Sequence, residues 1–135
     1  MSATIQRSPH SLWPSRALLT FVERQVCRAE AYFGDERRSE QRVMIAMPVI
    51  VQAVDENLAP LGEPQAMVVR DVTPKGLGLV HEEAFEHQRI VVRLSYPEEG
   101  TLLAAEVRWN KALGPFYHLG CEVVAKLQRF EPLEL

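Results

Sequence analysis

The chain has 135 residues, 47% hydrophobic and 24% charged, with a net charge of −3. That size accommodates one domain with an appendage, and that composition builds a core without metal or disulfide support. A net negative chain makes a poor general binder of nucleic-acid polymers, and ALLTFV (17–22), between Arg16 and Glu23, is too short to span a bilayer.

In chain order, residues 1–14 carry Ser, His and two prolines and are expected to be poorly ordered. From Pro14 or Ser15 to Phe33 the period is helical. Leu18, Val22, Ala29 and Phe33 form one stripe, with Leu19 and Val26 beside it, and Arg16, Glu23, Arg24, Arg28 and Glu30 lie largely opposite. Gly34 is the expected terminator. A helix of this length is marginal alone, so the stripe packs either on the following domain or on a second copy of itself. The chain is therefore expected to be a monomer or a homodimer.

After ERRSEQR (36–42) the period changes. VMIAMPVIVQAV (43–54) is β-rich, and Pro48 within it marks an edge strand or a bulge. The remaining strand candidates are 65–72, 76–80, 88–96, 101–109 and 116–124, joined by links rich in Gly, Pro and charge. A short helical turn is expected at KLQRF (126–130). Several short strands with such links indicate a mainly β sandwich or small barrel. Cys27 and Cys121 match no metal or redox spacing and are expected to be reduced thiols of a cytoplasmic protein.

Catalysis has no constellation to support it. His10, His81, His87 and His118 show no metal-ligand spacing and are expected on surfaces or loops. Nucleophile elbow, phosphate-binding loop and dinucleotide fingerprint are all absent. Charge placement is more informative. Up to Arg42 there are seven Arg against five acids, and beyond it eight Lys and Arg against thirteen acids. An anionic ligand is therefore expected at the junction rather than on the body.

Two stretches stand out. In the first, Arg38 and Arg42 are four apart, with Arg37 adjacent. Guanidinium makes paired hydrogen bonds to phosphate or to the O6/N7 edge of guanine, and it stacks on purines. In the second, RDVTPKG (70–76), Asp71 can accept from the guanine N1–H and N2–H₂ edge, Thr73 can donate to phosphate, and Gly76 offers a positive φ and close backbone approach. Each stretch alone reads equally as a charged linker or an ordinary turn.

Together, RxxxR before the first strand and [D/N]x[S/T]xxG at the end of the second resemble the PilZ domain family. LLAAEVRW followed by GPFYHLGCEVV is similar to that family's last two strands, and the likeness runs from about Glu36 to Val124. It implies a six-stranded antiparallel β-barrel over 36–127, preceded by a tail and amphipathic helix over 1–35 and followed by a tail over 128–135. It also implies a bacterial, cytoplasmic receptor or adaptor for cyclic di-GMP that is not an enzyme, needs no metal or cofactor and acts on a downstream protein. By position, Arg38 and Arg42 would clamp the ligand against Asp71, Thr73 and Gly76, with Arg37 and Lys75 placed to add phosphate contacts. Thr73 stands where the family more often has Ser. Clamping by 35–42 would move the upstream helix, which hydrogen exchange over 15–42 would detect. The alternatives are a PilZ-like protein adaptor that no longer binds nucleotide and a single-strand-binding barrel. The second is disfavoured by the acidic body and the 7% aromatic content.

Overall fold

Ser15 starts the first element of the computed structural model, which describes residues 12–33, 42–95 and 98–134. Its Oγ accepts from the Leu18 amide at 3.1 Å, an N-cap that satisfies one of the free donors of helix α1 (Arg16–Phe33). The same hydroxyl donates to Glu82 at 2.8 Å, tying the helix start to the loop after the third strand. Leu18 and Val22 are fully buried against Val68 and Val80, with Phe21, Ala46 and Phe116 around them. Burial of each such side chain contributes about 1.5–3 kcal/mol. The described part of the stripe, Leu18 and Val22, thus packs on the chain's own barrel. Gly34, Arg37 and Arg38 lie outside the described residues.

Six strands follow: β1 (Val43–Val54), β2 (Gln65–Thr73), β3 (Gly76–His81), β4 (Arg89–Leu94), β5 (Thr101–Leu113) and β6 (Phe116–Leu127). All neighbours are antiparallel, and the order β1-β2-β3-β6-β5-β4 closes into a barrel. Met67, Val69, Leu79, Ile90, Val92 and Leu119 alternate inward and fill it. Closure leaves no edge among these six strands. Pro48 is paired opposite Val68, just after a register shift between Met44 and Met47, so it marks an irregularity rather than an edge.

β5 and β6 are longer than their sequence pattern suggests. Asn110–Leu113 continue pairing with Leu119–Phe116, and the reversal is confined to Gly114, at φ 57°, and Pro115. The helical turn expected at KLQRF is also displaced. Lys126 and Leu127 finish β6 opposite Leu103 and Leu102, and a 3₁₀ turn forms only at Glu131–Leu133. There Phe130 and Leu133 are buried against Ile50, Val54, Val91 and Leu102, a second apolar cluster apart from the main core.

Candidate functional site

Two bulges decide which side chains reach the outer face beside α1. On β2, Val69 pairs with Leu79 and Asp71 with Gly78, so Arg70 is the extra residue. Without that insertion Asp71 would point into the barrel; with it, Asp71 and Thr73 face out and Val72 turns toward the core. On β5, Val107 pairs with Cys121 and Trp109 with Gly120, leaving Arg108 as the extra residue and turning Trp109 outward. The result is a row across four strands: Asp71, Gly78, Gly120, Trp109. At roughly 4.8 Å per strand it is about 14 Å long.

The glycines make this row a hollow. A Cβ at Gly78 would overlap Asp71 Oδ1 and lie 3.0 Å from His118 Nε2, and one at Gly120 would run into the Trp109 indole. Thus the indole rests on bare backbone, with Trp109 45% exposed. His118 meets it edge to face at 4.8 Å, and Lys111 Nζ lies 4.9 Å from its ring. The hollow opens into a cavity of about 600 Å³, large enough for a small-molecule ligand.

Charge in the cavity runs against the acidic average of the body. Arg42, Arg70, Lys75, Arg108 and Lys111 line it against two carboxylates, Asp71 and Glu122. Glu122 is already bonded by the Arg108 guanidinium. The expectation that only the junction before β1 would be basic is therefore corrected. The body's surplus acids lie elsewhere, several of them (Glu82, Glu83, Glu86) in the loop after β3, while four of the five cations come from the barrel.

Arg42 Nε lies 3.3 Å from Asp71 Oδ2, bringing the two sequence motifs into contact. Thr73 and Gly76 line the same cavity, as does Lys75. Thr73 Oγ1 accepts from the Gly76 amide at 3.1 Å and the Lys75 amide at 3.4 Å, so it fixes the β2–β3 turn and keeps its O–H proton free to donate. Gly76 serves a different end from the one expected. It is not among the positive-φ glycines, which among the described residues are Gly62, Gly100 and Gly114. A Cβ there would strike the Cys121 carbonyl, so glycine lets β3 approach β6 closely.

His81 and His118, expected on surfaces or loops, are buried at 6% and 4% exposure. His81 Nδ1 lies 2.9 Å from the Glu83 carbonyl, which accounts for it structurally. Among the described residues His118 Nε2 has no hydrogen-bond partner, nor do its cavity neighbours Arg70 Nε and Asp71 Oδ1. Burial first, then Arg70, Lys111 and Arg42, lower the His118 pKa to about 4, so its imidazole is neutral at physiological pH. Burial also depresses Arg70 against the attraction of Asp71, and it pushes the Cys121 thiol up to about 12, making that cysteine an inert core residue. Arg70, Trp109, Lys111 and His118 were not singled out from sequence. The pairing of a tryptophan with a glycine was the available signal, and it needs the β5–β6 register to be seen.

Among the described residues no cluster of three His, Cys, Asp or Glu is placed to hold a metal, and no helix is long and apolar enough to cross a membrane. A cationic wall, one free carboxylate oxygen and an exposed indole together suit a flat, anionic ligand that carries N–H donors.

No protein-family model matches the chain, and no curated protein matches it. Solved structures do match. An inhibitor of motility from Bacillus subtilis (MotI/DgrA) is 17% identical over 69% of this chain and 45% of its own, with a TM-score of 0.50. The PilZ domain of YcgR from Escherichia coli, solved with c-di-GMP, is 14% identical over 66% of this chain and 79% of its own, at 0.42. MrkH from K. pneumonia, a c-di-GMP complex, is 15% identical over 66% and 44%, at 0.41. The chain thus spans less than half the length of two of the three. The likeness is one of fold, and the fold is PilZ-like: a closed six-stranded antiparallel barrel with an N-terminal helix.

Proposed function

We propose that the cavity binds cyclic di-GMP and that the chain is a receptor or adaptor passing this signal to a protein partner. The observation that carries the reading is the meeting of Arg42 with Asp71, Thr73 and Gly76 around one glycine-floored, cationic cavity. Four positions from two motifs that resemble the PilZ pattern face a single space, and an indole suited to stacking a base stands at its far end. Arg42, and Arg38 with Arg37 from the segment before it, close over the ligand. Asp71 takes a guanine edge, while Thr73 and Lys75 serve phosphate oxygens.

The partner's route to the site is α1. Arg70 Nη1 donates to Gln25 Oε1 at 3.4 Å while its Nε faces Asp71 at 3.8 Å, so one guanidinium touches both the cavity and the helix. A ligand that redraws Arg70 is felt at α1.

Calorimetric titration of cyclic di-GMP into the wild-type chain and Arg42→Ala tests the reading. Loss of a charge-assisted guanidinium contact should weaken binding by on the order of 1.5–3 kcal/mol. Equal affinity in the two proteins would remove Arg42 from the site. Absence of heat with wild type at high protein concentration would leave the adaptor that no longer binds nucleotide.

A further inference from the structure

Among the described residues, three polar atoms of the residues lining the hollow lack a hydrogen-bond partner: Arg70 Nε and Asp71 Oδ1, which face each other only as a long ion pair, and His118 Nε2. Buried polar groups in folded proteins are almost always satisfied, and three exceptions in one place call for a common explanation. Their arrangement is specific. Arg70 Nε lies 3.8 Å from Asp71 Oδ1, and a single methyl group on Gly78 would touch both Asp71 Oδ1 and His118 Nε2. The other oxygen of Asp71 is engaged by Arg42 at 3.3 Å, which turns Oδ1 toward the hollow. His118 is 4% exposed, and Trp109 packs against its ring.

Resting on the proposed nucleotide reading, we infer that Arg70, Asp71 and His118 form a base reader that selects guanine, with His118 as the residue that senses its exocyclic amino group. The three atoms present a donor, an acceptor and a second acceptor in sequence. The Arg70 guanidinium can only donate; the Asp71 carboxylate can only accept; neutral His118 accepts at Nε2 in the tautomer protonated on Nδ1. The guanine edge carries the complement: O6 accepts, N1–H donates and N2–H₂ donates. Adenine would set its unprotonated N1 against the Asp71 carboxylate and its N6 amino group against Arg70, opposing like with like at two positions. Hypoxanthine keeps O6 and N1–H but lacks the amino group, so it leaves only His118 unpaired. Imidazolium would have no acceptor to offer, and burial with the cations Arg70, Lys111 and Arg42 around the ring favours the neutral form.

The probes are cyclic di-GMP, its hypoxanthine counterpart and its adenine counterpart, titrated into the full chain and into His118→Phe. Wild type is expected to prefer guanine over hypoxanthine by roughly 10- to 100-fold, because the analogue strands a buried acceptor. In His118→Phe the preference should collapse to near unity while discrimination against adenine persists through Asp71. A hypoxanthine preference ratio that is the same in both proteins overturns the role of His118. Binding of none of the three by wild type overturns the nucleotide reading itself, a distinct result. Should the Phe variant fold poorly, ¹⁵N NMR of the wild-type imidazole gives the answer: Nε2 should change its shift on adding cyclic di-GMP but far less with the hypoxanthine compound. Identical shifts with both ligands would sink the assignment.

Discussion

The outer surface of β2, β3 and β6 carries two adjacent patches built by opposite means. In one row Val68, Val80 and the hairpin around Phe116 present bulky apolar side chains, and α1 covers them with Leu18, Val22 and Phe21, whose ring meets Phe116 at 4.9 Å. In the next row Asp71, Gly78 and Gly120 present a carboxylate and bare backbone, and no described side chain of α1 lines the space. The Arg70 bulge is the boundary. Before it the alternation of β2 sends valine outward; after it the phase is reversed and a carboxylate comes out. The first patch is covered by the chain's own helix, whereas the second keeps polar atoms without a hydrogen-bond partner among the described residues. One patch holds the fold; the other is the space proposed for a ligand.

The sharpest way to break this division is Leu18→Ala. Leu18 is fully buried between α1 and the barrel, so its truncation leaves a cavity and should cost about 2–5 kcal/mol of unfolding free energy, measured by urea denaturation. Because no part of Leu18 lines the hollow, cyclic di-GMP affinity of the remaining folded protein should change far less than stability does. A variant that loses affinity in step with stability would show that the patches are one unit.

Trp109→Ala is the converse experiment. The indole is exposed on one face and rests on Gly120 with the other, so its removal should leave stability within about 1 kcal/mol of wild type. Ligand affinity should fall by about 1–3 kcal/mol, the usual worth of an aromatic stacked on a base. Unchanged affinity would take Trp109 out of the site.

How much of this division could be read beforehand depends on the distance over which its cause acts. The helix stripe at Leu18 and Val22 and the six strands follow from local periodicity and turn chemistry, which the sequence displays directly, whereas the meeting of Arg42 with RDVTPKG is legible only through the order of two motifs that resemble a known family's. The second half of the site follows from neither. Arg70 and Trp109 face the cavity because each sits at or beside a bulge, and a bulge is a property of pairing between strands. His118 reads locally as one more polar residue in an alternating strand; it is buried only because Trp109, Lys111 and Arg70 arrive from β5 and β2. The positive φ assigned to Gly76 fails for the same reason, since the constraint on that glycine comes from the β6 backbone across the sheet.

The smallest effect concerns pH and tests whether His118 is held neutral. Its folded pKa, about 4, lies below the ordinary value of 6.5. Above pH 6.5 both folded and unfolded chains carry the neutral ring, and stability from this group is fully present. As pH falls from 6.5 toward 4, the unfolded chain takes up a proton that the folded chain refuses, so stability declines; below about 4 both are protonated and the slope from this group ends. Burial first, then Arg70, Lys111 on β5 and Arg42, oppose the charged ring. The slope from this group can reach at most about 1.4 kcal/mol per pH unit, the linkage of a single proton. Urea midpoints measured across that interval should fall more steeply for wild type than for His118→Phe, which has nothing to titrate at this position. Parallel curves would mean that the ring gains its proton as readily in the fold as in water. The open patch would then hold an imidazolium, a donor where the guanine amino group needs an acceptor.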